Sequence, residues 1–235
     1  MKNYKILEWD TNFFGFKVAQ IIPPILDTEQ LQAVLACLRN KSVKLAYFPS
    51  EKDMSIKFDS NIASCLVDEK TTFIIGIKNI EFTNTSIVNP YNSNILNKDL
   101  MSLAIQSGEY SRFCIDVNIP KPKFVELYTI WMERSIKKEI ADEVLVIKEG
   151  SKIVGMITLG NTNGRANIGL IAVDKNFRGR HYGQELIIAA KMWSNKNGYE
   201  YCQVVTQGKN IPACNFYKKC GFYIEKIEYY YHFWL

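Results

Sequence analysis

Ile168-Gly169-Leu170-Ile171-Ala172-Val173, then Asp174-Lys175-Asn176-Phe177, then Arg178-Gly179-Arg180-His181-Tyr182-Gly183 is the stretch that decides the fold. It reads as an apolar strand, a glycine-arginine turn and the start of a helix carrying Leu186, Ile187, Ala190 and Trp193 at helical spacing. A second apolar strand, Cys202 to Thr206, follows, and then Asn210-Ile211-Pro212-Ala213-Cys214-Asn215-Phe216-Tyr217 and Gly221-Phe222. A glycine-bearing loop that feeds a helix offers converging backbone N–H groups and the positive end of the helix dipole, a setting that binds a pyrophosphate. Arg178 and Arg180 add charge. Taken alone, the hexapeptide reads equally well as a solvated basic turn capping an ordinary helix, so the order of its surroundings carries the argument.

That order resembles the GNAT N-acetyltransferase superfamily: an Ile-Ala-Val strand, a basic glycine turn, Asn-x-x-Ala-x-x-x-Tyr, then Gly-Phe. The resemblance implies an α/β (α+β) fold with a central mixed, mostly antiparallel sheet flanked by helices, and acetyl-CoA as co-substrate. It implies that the strand Ile171, Ala172, Val173 splays from its neighbour so that the pantetheine arm pairs with its backbone like an added strand. Arg178, Gly179, Arg180, His181, Tyr182 and Gly183 would hold the pyrophosphate, and Asn210 would bond the pantetheine or pyrophosphate, with simple loop capping as its alternative. Many members have glycine where His181 stands; histidine is among the residues tolerated at positive φ, and it serves either as a phosphate ligand or as a solvent-facing loop side chain.

The rest of the chain resembles the TDP-fucosamine acetyltransferases. Leu7-Glu8-Trp9-Asp10-Thr11-Asn12-Phe13-Phe14-Gly15, Ser111-Arg112-Phe113 and Leu127-Tyr128-Thr129-Ile130-Trp131 carry that likeness, whereas Glu51 to Asp99 carries none of it. The implied acceptor is a nucleotide-linked amino sugar, a dTDP-4-amino-4,6-dideoxyhexose such as dTDP-fucosamine. Arg112 would fork onto a nucleotide phosphate or else make a structural salt bridge. Trp9, Phe13 and Phe14 would stack on a thymine or sugar face, or form an aromatic cluster near a strand start.

Composition bounds the alternatives. The 235 residues are 47% hydrophobic and 23% charged, enough for one large domain or two small ones. No apolar run is long enough to span a bilayer, and the N-terminus leads into Glu8 and Asp10 rather than a signal-peptide core, so the cytoplasm is expected. Six cysteines scattered without a Cys-x-x-Cys pair suit buried free thiols, and two histidines cannot assemble a zinc-type cluster, so no metal is expected. A net charge of +5 without a basic stripe argues against nucleic acid while accommodating coenzyme A and a nucleotide diphosphate. A homodimer is compatible with the sequence.

Residues 1–94 read as an N-terminal α/β module, the expected nucleotide-sugar side, and residues 95–235 as the acetyltransferase domain. In the first, strands are expected at Ala19–Ile22, Lys44–Phe48, Ser64–Val67 and Thr72–Ile77, with a helix at Thr28–Arg39 opened by Asp27. Asn84 to Asn97 reads as a linker. Helices at Lys98–Ser107 and Lys123–Ile140 follow, then a hairpin of Val144–Lys148 and Lys152–Leu159 turning at Glu149-Gly150-Ser151.

Acyl transfer to an amine needs a neutral amine, donors for the oxyanion and a proton for the leaving thiolate. In the family the Tyr seven positions past the Asn points its hydroxyl at the coenzyme sulfur, which makes Tyr217 the candidate general acid; packing as a core residue is its alternative. Backbone N–H groups near Ala172 and Val173 could polarise the thioester. Asp116, Glu126 and Glu228 are candidate bases, and a water relay fits equally. The alternative functions are N-acetylation of another small amine or a peptide N-terminus, and a non-catalytic acyl-CoA-binding module.

Overall fold

A computed structural model describes residues 3–22, 27–53, 63–78 and 87–235. In chain order its elements are β1 (Tyr4–Ile6), α1 (Glu8–Phe14), β2 (Lys17–Ile21), α2 (Thr28–Asn40), β3 (Val43–Ser50), β4 (Ala63–Gly76) and β5 (Val88–Pro90). Then come α3 (Lys98–Ser107), α4 (Arg112–Ile115), α5 (Lys121–Ile136), β6 (Glu143–Glu149), β7 (Lys152–Thr162) and β8 (Arg165–Val173). A 3-10 turn (Lys175–Phe177), α6 (Tyr182–Lys196), β9 (Tyr201–Gln207), α7 (Ile211–Lys219) and β10 (Tyr223–Trp234) complete the chain. These divide into two compact units, Met1–Thr71 with Gln207–Lys209 and Lys226–Leu235, and Thr72–Thr206 with Asn210–Glu225.

In the first unit β1 is antiparallel to β2, β2 runs parallel to β3, and β3 pairs antiparallel with β10. The helix between the parallel strands starts as the sequence demands: Asp27 Oδ1 accepts from Gln30 N at 2.8 Å and Gln30 Oε1 accepts from Asp27 N at 3.3 Å, a reciprocal capping box. Leu31, Val34, Leu35 and Leu38 follow at helical spacing and are buried against Ala19, Ile21, Phe48 and Phe233. Two differences from expectation have local causes. The Trp9–Phe14 segment is a short helix, closed by Gly15 at φ 78°, whose N–H donates to Thr11 O. The expected strands at Ser64–Val67 and Thr72–Ile77 are one strand, β4, because the charged interruption at Asp68-Glu69-Lys70 stays in the sheet, Asp68 being buried and Lys70 paired with Glu228 at 3.3 Å.

In the second unit β5, β6, β7 and β8 form an antiparallel run, and β9 joins β8 in parallel. Period-two alternation sorts the side chains onto two faces. Leu145, Ile147, Val154 and Ile157 lie with Leu186, Ile187 and Ala190 of α6 and Tyr217 of α7, whereas Val144, Val146, Ile153 and Met156 lie with Leu100 and Leu103 of α3 and Met132 and Ile136 of α5. A fully buried Leu or Ile contributes about 1.5–3 kcal/mol, so each helix pair is held mainly by its apolar face. α3 is capped by Asn97, whose Oδ1 accepts from Leu100 N at 2.9 Å. α5 stops earlier than its composition suggests, since Lys138 turns left-handed at φ 60°. Within the expected linker, Val88–Pro90 is a strand on β6; residues 79–86 lie outside the described residues.

Candidate functional site

The deciding stretch is a strand that leaves its partner. β8 and β9 pair at Ala166↔Cys202, Asn167↔Gln203 and Ile168↔Val204, and no further pair follows although β8 runs on to Val173. On its other side β8 stays paired with β7 through Ile171, Ala172 and Val173. The backbone edge of Gly169–Val173 turned away from β7 is therefore open among the described residues. An open edge in the sheet plane accepts an extended, amide-bearing chain.

The turn beyond is built by its own side chains. Asp174 Oδ1 accepts from Asn176 N at 2.9 Å and Oδ2 from Lys152 Nζ at 2.9 Å; the Lys152 contact, then the Asn176 N–H, hold the Asp174 carboxyl below the usual carboxylate range. Phe177 carries a cation on its ring from each of two side chains, Lys152 Nζ and the Arg180 guanidinium, both 5.0 Å from the centroid. Arg178 Nε donates to Val173 O at 3.2 Å, and the Tyr182 hydroxyl donates to Glu149. Gly179 has φ 80° and His181 φ 63°, so histidine does take the left-handed conformation here. His181 is exposed, with Nδ1 2.6 Å from Gln184 Oε1, and it places no side-chain cap on the first turn of α6. The N–H groups at the start of α6 thus end in a basic loop without a side-chain cap.

α7 meets this loop from its own side. A Cβ added at Gly183 would lie 3.1 Å from Phe216 Cζ, so Gly183 is the residue that lets α6 start against the Phe216 ring. Tyr217, next in sequence, is buried among Phe73, Phe216 and Phe222, with ring centroids 5.6, 5.4 and 6.0 Å away. Burial first, then Cys220 and Cys214, push its phenol above the ordinary range. Asn210 is the cap of α7, its Oδ1 accepting from Ala213 N at 3.2 Å, which is the alternative weighed for it from sequence.

The other candidates lie on elements outside the loop and α7. Arg112 opens α4 in the second unit, its guanidinium 4.4 Å from the Phe113 centroid. Trp9 and Phe14 lie on α1 in the first unit; Trp9 is 43% exposed and stacks on Phe13 at 5.1 Å, while Phe14 meets Phe13 edge-on at 4.9 Å. Among the candidate bases, Asp116 is buried and accepts from Asn118 N at 3.0 Å, Glu126 is an exposed partner of Lys123, and Glu228 pairs with Lys70 and Lys226. Burial raises the Glu228 carboxyl and its two lysines outweigh that, leaving it below its ordinary range. The cysteines split: Cys202 and Cys214 are buried, Cys220 is half-buried, and Cys37 and Cys114 are exposed, so buried thiols describe only part of the set. Burial pushes the Cys202 thiol up to about 11, which makes it inert at neutral pH. Among the described residues no His, Cys, Asp and Glu grouping could hold a metal ion, and no helix is long and apolar enough to cross a membrane.

Sequence reasoning missed Phe177 as the platform under Arg180 and Thr158 as the residue facing the point of divergence. The signal for the second was Gly169 itself, since a glycine inside an apolar strand marks a bulge or a close approach.

Known proteins resemble this chain in sequence and in fold. The model of the acetyltransferase (GNAT) family matches residues 116–222, which hold the open strand, the loop, Asn210 and Tyr217. The chain is 38% identical over 78 residues to streptothricin acetyltransferase of Escherichia coli, covering 33% of this chain and 45% of that protein. It is 31% identical over 109 residues to streptothricin acetyltransferase A of Bacillus subtilis, covering 46% of this chain and 63% of that protein. The chain thus spans about half the length of these curated relatives. A GCN5-related N-acetyltransferase from Sphaerobacter thermophilus superposes with a TM-score of 0.58 at 11% identity, over 97% of this chain and 75% of that one. Likeness at that identity speaks for the fold alone, and the fold is the GNAT fold, with a mixed, mostly antiparallel sheet flanked by helices.

Proposed function

We propose that this protein is an acetyl-CoA-dependent N-acetyltransferase. The observation that carries the reading is the departure of β8 from β9 after Ile168, directly ahead of a basic, glycine-bearing entry into α6. The edge at Ile171, Ala172 and Val173 would take the pantetheine amides as an added strand. Arg178, Gly179, Arg180, His181, Tyr182 and Gly183 would surround the pyrophosphate with N–H donors and positive charge. Asn210 would contribute through α7.

In the transfer the amine nitrogen attacks the thioester carbon, the carbon–sulfur bond breaks, and the proton that nitrogen loses ends on sulfur. Tyr217 is the proposed acid. An ordinary phenol, at about 10, is already a weaker acid than an ordinary thiol at about 8.5, and burial raises Tyr217 further. It therefore keeps its proton until sulfur carries charge. It serves as a donor to the departing thiolate and relays the proton released by nitrogen, not as a net source.

For the acceptor, the likeness of the Trp9–Gly15 and Ser111–Phe113 segments to the TDP-fucosamine acetyltransferases favours a nucleotide-linked amino sugar such as dTDP-fucosamine, with Arg112 as a phosphate ligand. A second reading, an amine of the streptothricin type, is favoured by the names of the two relatives. Thiol release from acetyl-CoA, measured with a dTDP-4-amino-4,6-dideoxyhexose and with streptothricin, separates them. Turnover of the amino sugar is expected; turnover of streptothricin alone removes the sugar reading and keeps the transferase, and absence of coenzyme binding removes both.

A further inference from the structure

The divergence of β8 coincides with a defect in its pairing on the opposite side. Ile157 faces Ile171 and Leu159 faces Ile168, so Gly169 and Leu170 together stand opposite Thr158 alone. Two residues against one is a β-bulge, which bends and twists the strand that carries the extra residue. The bend falls immediately after Ile168, the last residue that pairs with β9.

The bulge also resets which way side chains point. Ala166 and Ile168 lie in the core under α6 and α7, and so do Ile171 and Val173, whereas Leu170 and Ala172 pack with α3 and α5. Strict alternation would have sent Ile171 to the opposite face, since a one-residue slip exchanges the two faces of a strand. The slip keeps both cores filled while changing the path of the backbone.

A bulge leaves an N–H without its ladder partner. Here the Thr158 side chain, 2% exposed, supplies the acceptor: Leu170 N donates to Thr158 Oγ1 at 2.8 Å. The arrangement requires glycine on the other side, because a Cβ at Gly169 would lie 2.8 Å from that same oxygen. Hydroxyl and glycine fit one another, and neither would be demanded by an unbroken ladder.

We propose that Thr158 is a positioning residue for the coenzyme: its hydroxyl latches the bulge at Gly169-Leu170 and so sets the angle at which the Gly169–Val173 edge opens to the acyl-bearing arm. This rests on the coenzyme reading above and adds to it a residue that touches neither loop nor reacting atoms. The latch acts on one half of the ligand. The phosphate loop has contacts of its own, Asp174 with Asn176 N and Arg180 over Phe177, so the nucleotide half should sense Thr158 far less than the acyl-bearing arm does.

The test compares two probes, acetyl-CoA and 3′-phosphoadenosine 5′-diphosphate, which is the coenzyme's nucleotide half without the pantetheine. Thr158→Val removes the hydroxyl at nearly constant volume and leaves the Leu170 N–H unpaired, which releases the bulge from the angle that the latch sets. Acetyl-CoA binding should weaken about tenfold while the nucleotide half binds within about twofold of wild type, and Thr158→Ser should restore acetyl-CoA binding. Gly169→Ala, on an exposed strand position, presses on the same oxygen and should reproduce the split if Thr158→Val fails to fold. Equal weakening of both probes, or no weakening of either, overturns the latch and leaves the coenzyme site intact. A wild-type protein that binds neither probe overturns the coenzyme site and the latch with it.

Discussion

The passage β2–α2–β3 in the first unit and the passage β8–α6–β9 in the second are both parallel strand pairs joined through a helix, yet they treat the helix entry in opposite ways. β2 stays with β3 as far as Gln20↔Tyr47, one residue from its end, while β8 abandons β9 with Gly169–Val173 still to run. α2 begins on Asp27, whose carboxylate already accepts from Gln30 N, and the sequence leading to it, Ile22-Pro23-Pro24-Ile25-Leu26, has neither glycine nor arginine. α6 begins on His181 with no side-chain cap, after two arginines and Gly179. Both helices carry the same dipole. What separates the structural crossover at α2 from the anion site proposed at α6 is whether the chain caps its own N–H groups with a side chain, and whether the strand ahead of them keeps its partner.

The comparison breaks most visibly at Gly179. A carboxylate there puts a negative charge where the loop should receive a pyrophosphate, and the space beside Gly179 is open, so Gly179→Glu tests charge, with backbone strain at φ 80° the one added cost. Calorimetry should show acetyl-CoA affinity reduced by about 10²-fold, the scale of losing charge-assisted bonds worth about 3 kcal/mol. An unchanged affinity in a folded variant would mean that the α6 entry, like the α2 entry, receives no phosphate. Gly183→Val is the poorer probe, because Phe216 already fills the space and the variant reports on packing.

The next effect concerns α7, which follows the second passage and meets the start of its helix where Phe216 lies against Gly183. Tyr217→Phe keeps the ring and its contacts with Phe73, Phe216 and Phe222. Its kcat should fall by about 10²-fold, the low end for loss of a positioned acid, because water can protonate a thiolate, and acetyl-CoA Kd should hardly move. Turnover at the wild-type rate, measured where chemistry limits, would return Tyr217 to the core alone.

Much of this contrast could be read from the residues, and the unreadable part has a common cause. Glycine, arginine and an apolar strand in sequence announce the α6 entry, and Asp27 with Gln30 three residues on announces the α2 entry, since both are local patterns. Thr158 and Leu170 meet across a hairpin, so the bulge shows in the chain only as an unexplained Gly169. α1 is a single helical passage of two turns, too short for periodicity to declare against a strand. Asp68 looks like a break in β4 and is instead a buried acid within it, which only tertiary contacts decide. The assignment of Arg112, Trp9 and Phe14 to the acceptor rests on resemblance alone, because no local rule links an arginine or a stacked tryptophan to one particular amine.

A smaller effect sharpens the first passage. Asp27→Ala removes the carboxylate that accepts from Gln30 N, leaving the backbone N–H at position 27 to Gln30 Oε1, and should lower stability by about 1 kcal/mol, read from denaturant midpoints. Acetyl-CoA affinity should stay at the wild-type value. A parallel loss of coenzyme binding would show that the α2 entry takes part in the ligand site, and the contrast between the passages would fail.

The smallest effect lies at Asp174, where the second passage spends an acid on shaping its turn and keeps the helix entry free of one. The Lys152 ammonium, then the Asn176 N–H, hold this carboxyl below its ordinary range. A depressed carboxyl contributes stability at pH above its unfolded value of about 3.9, and that contribution is lost as pH falls through the lower folded value. Lys152 is 42% exposed, so solvent screens the pair and the contribution stays below about 1 kcal/mol. Melting midpoints of wild type and Asp174→Asn should therefore differ slightly from pH 6 to 8 and converge as the pH drops through the acid range. A gap that persists unchanged to the lowest pH at which both proteins fold would assign the difference to the turn's neutral hydrogen bonds, and would leave the charge on Asp174 without a part in shaping the loop.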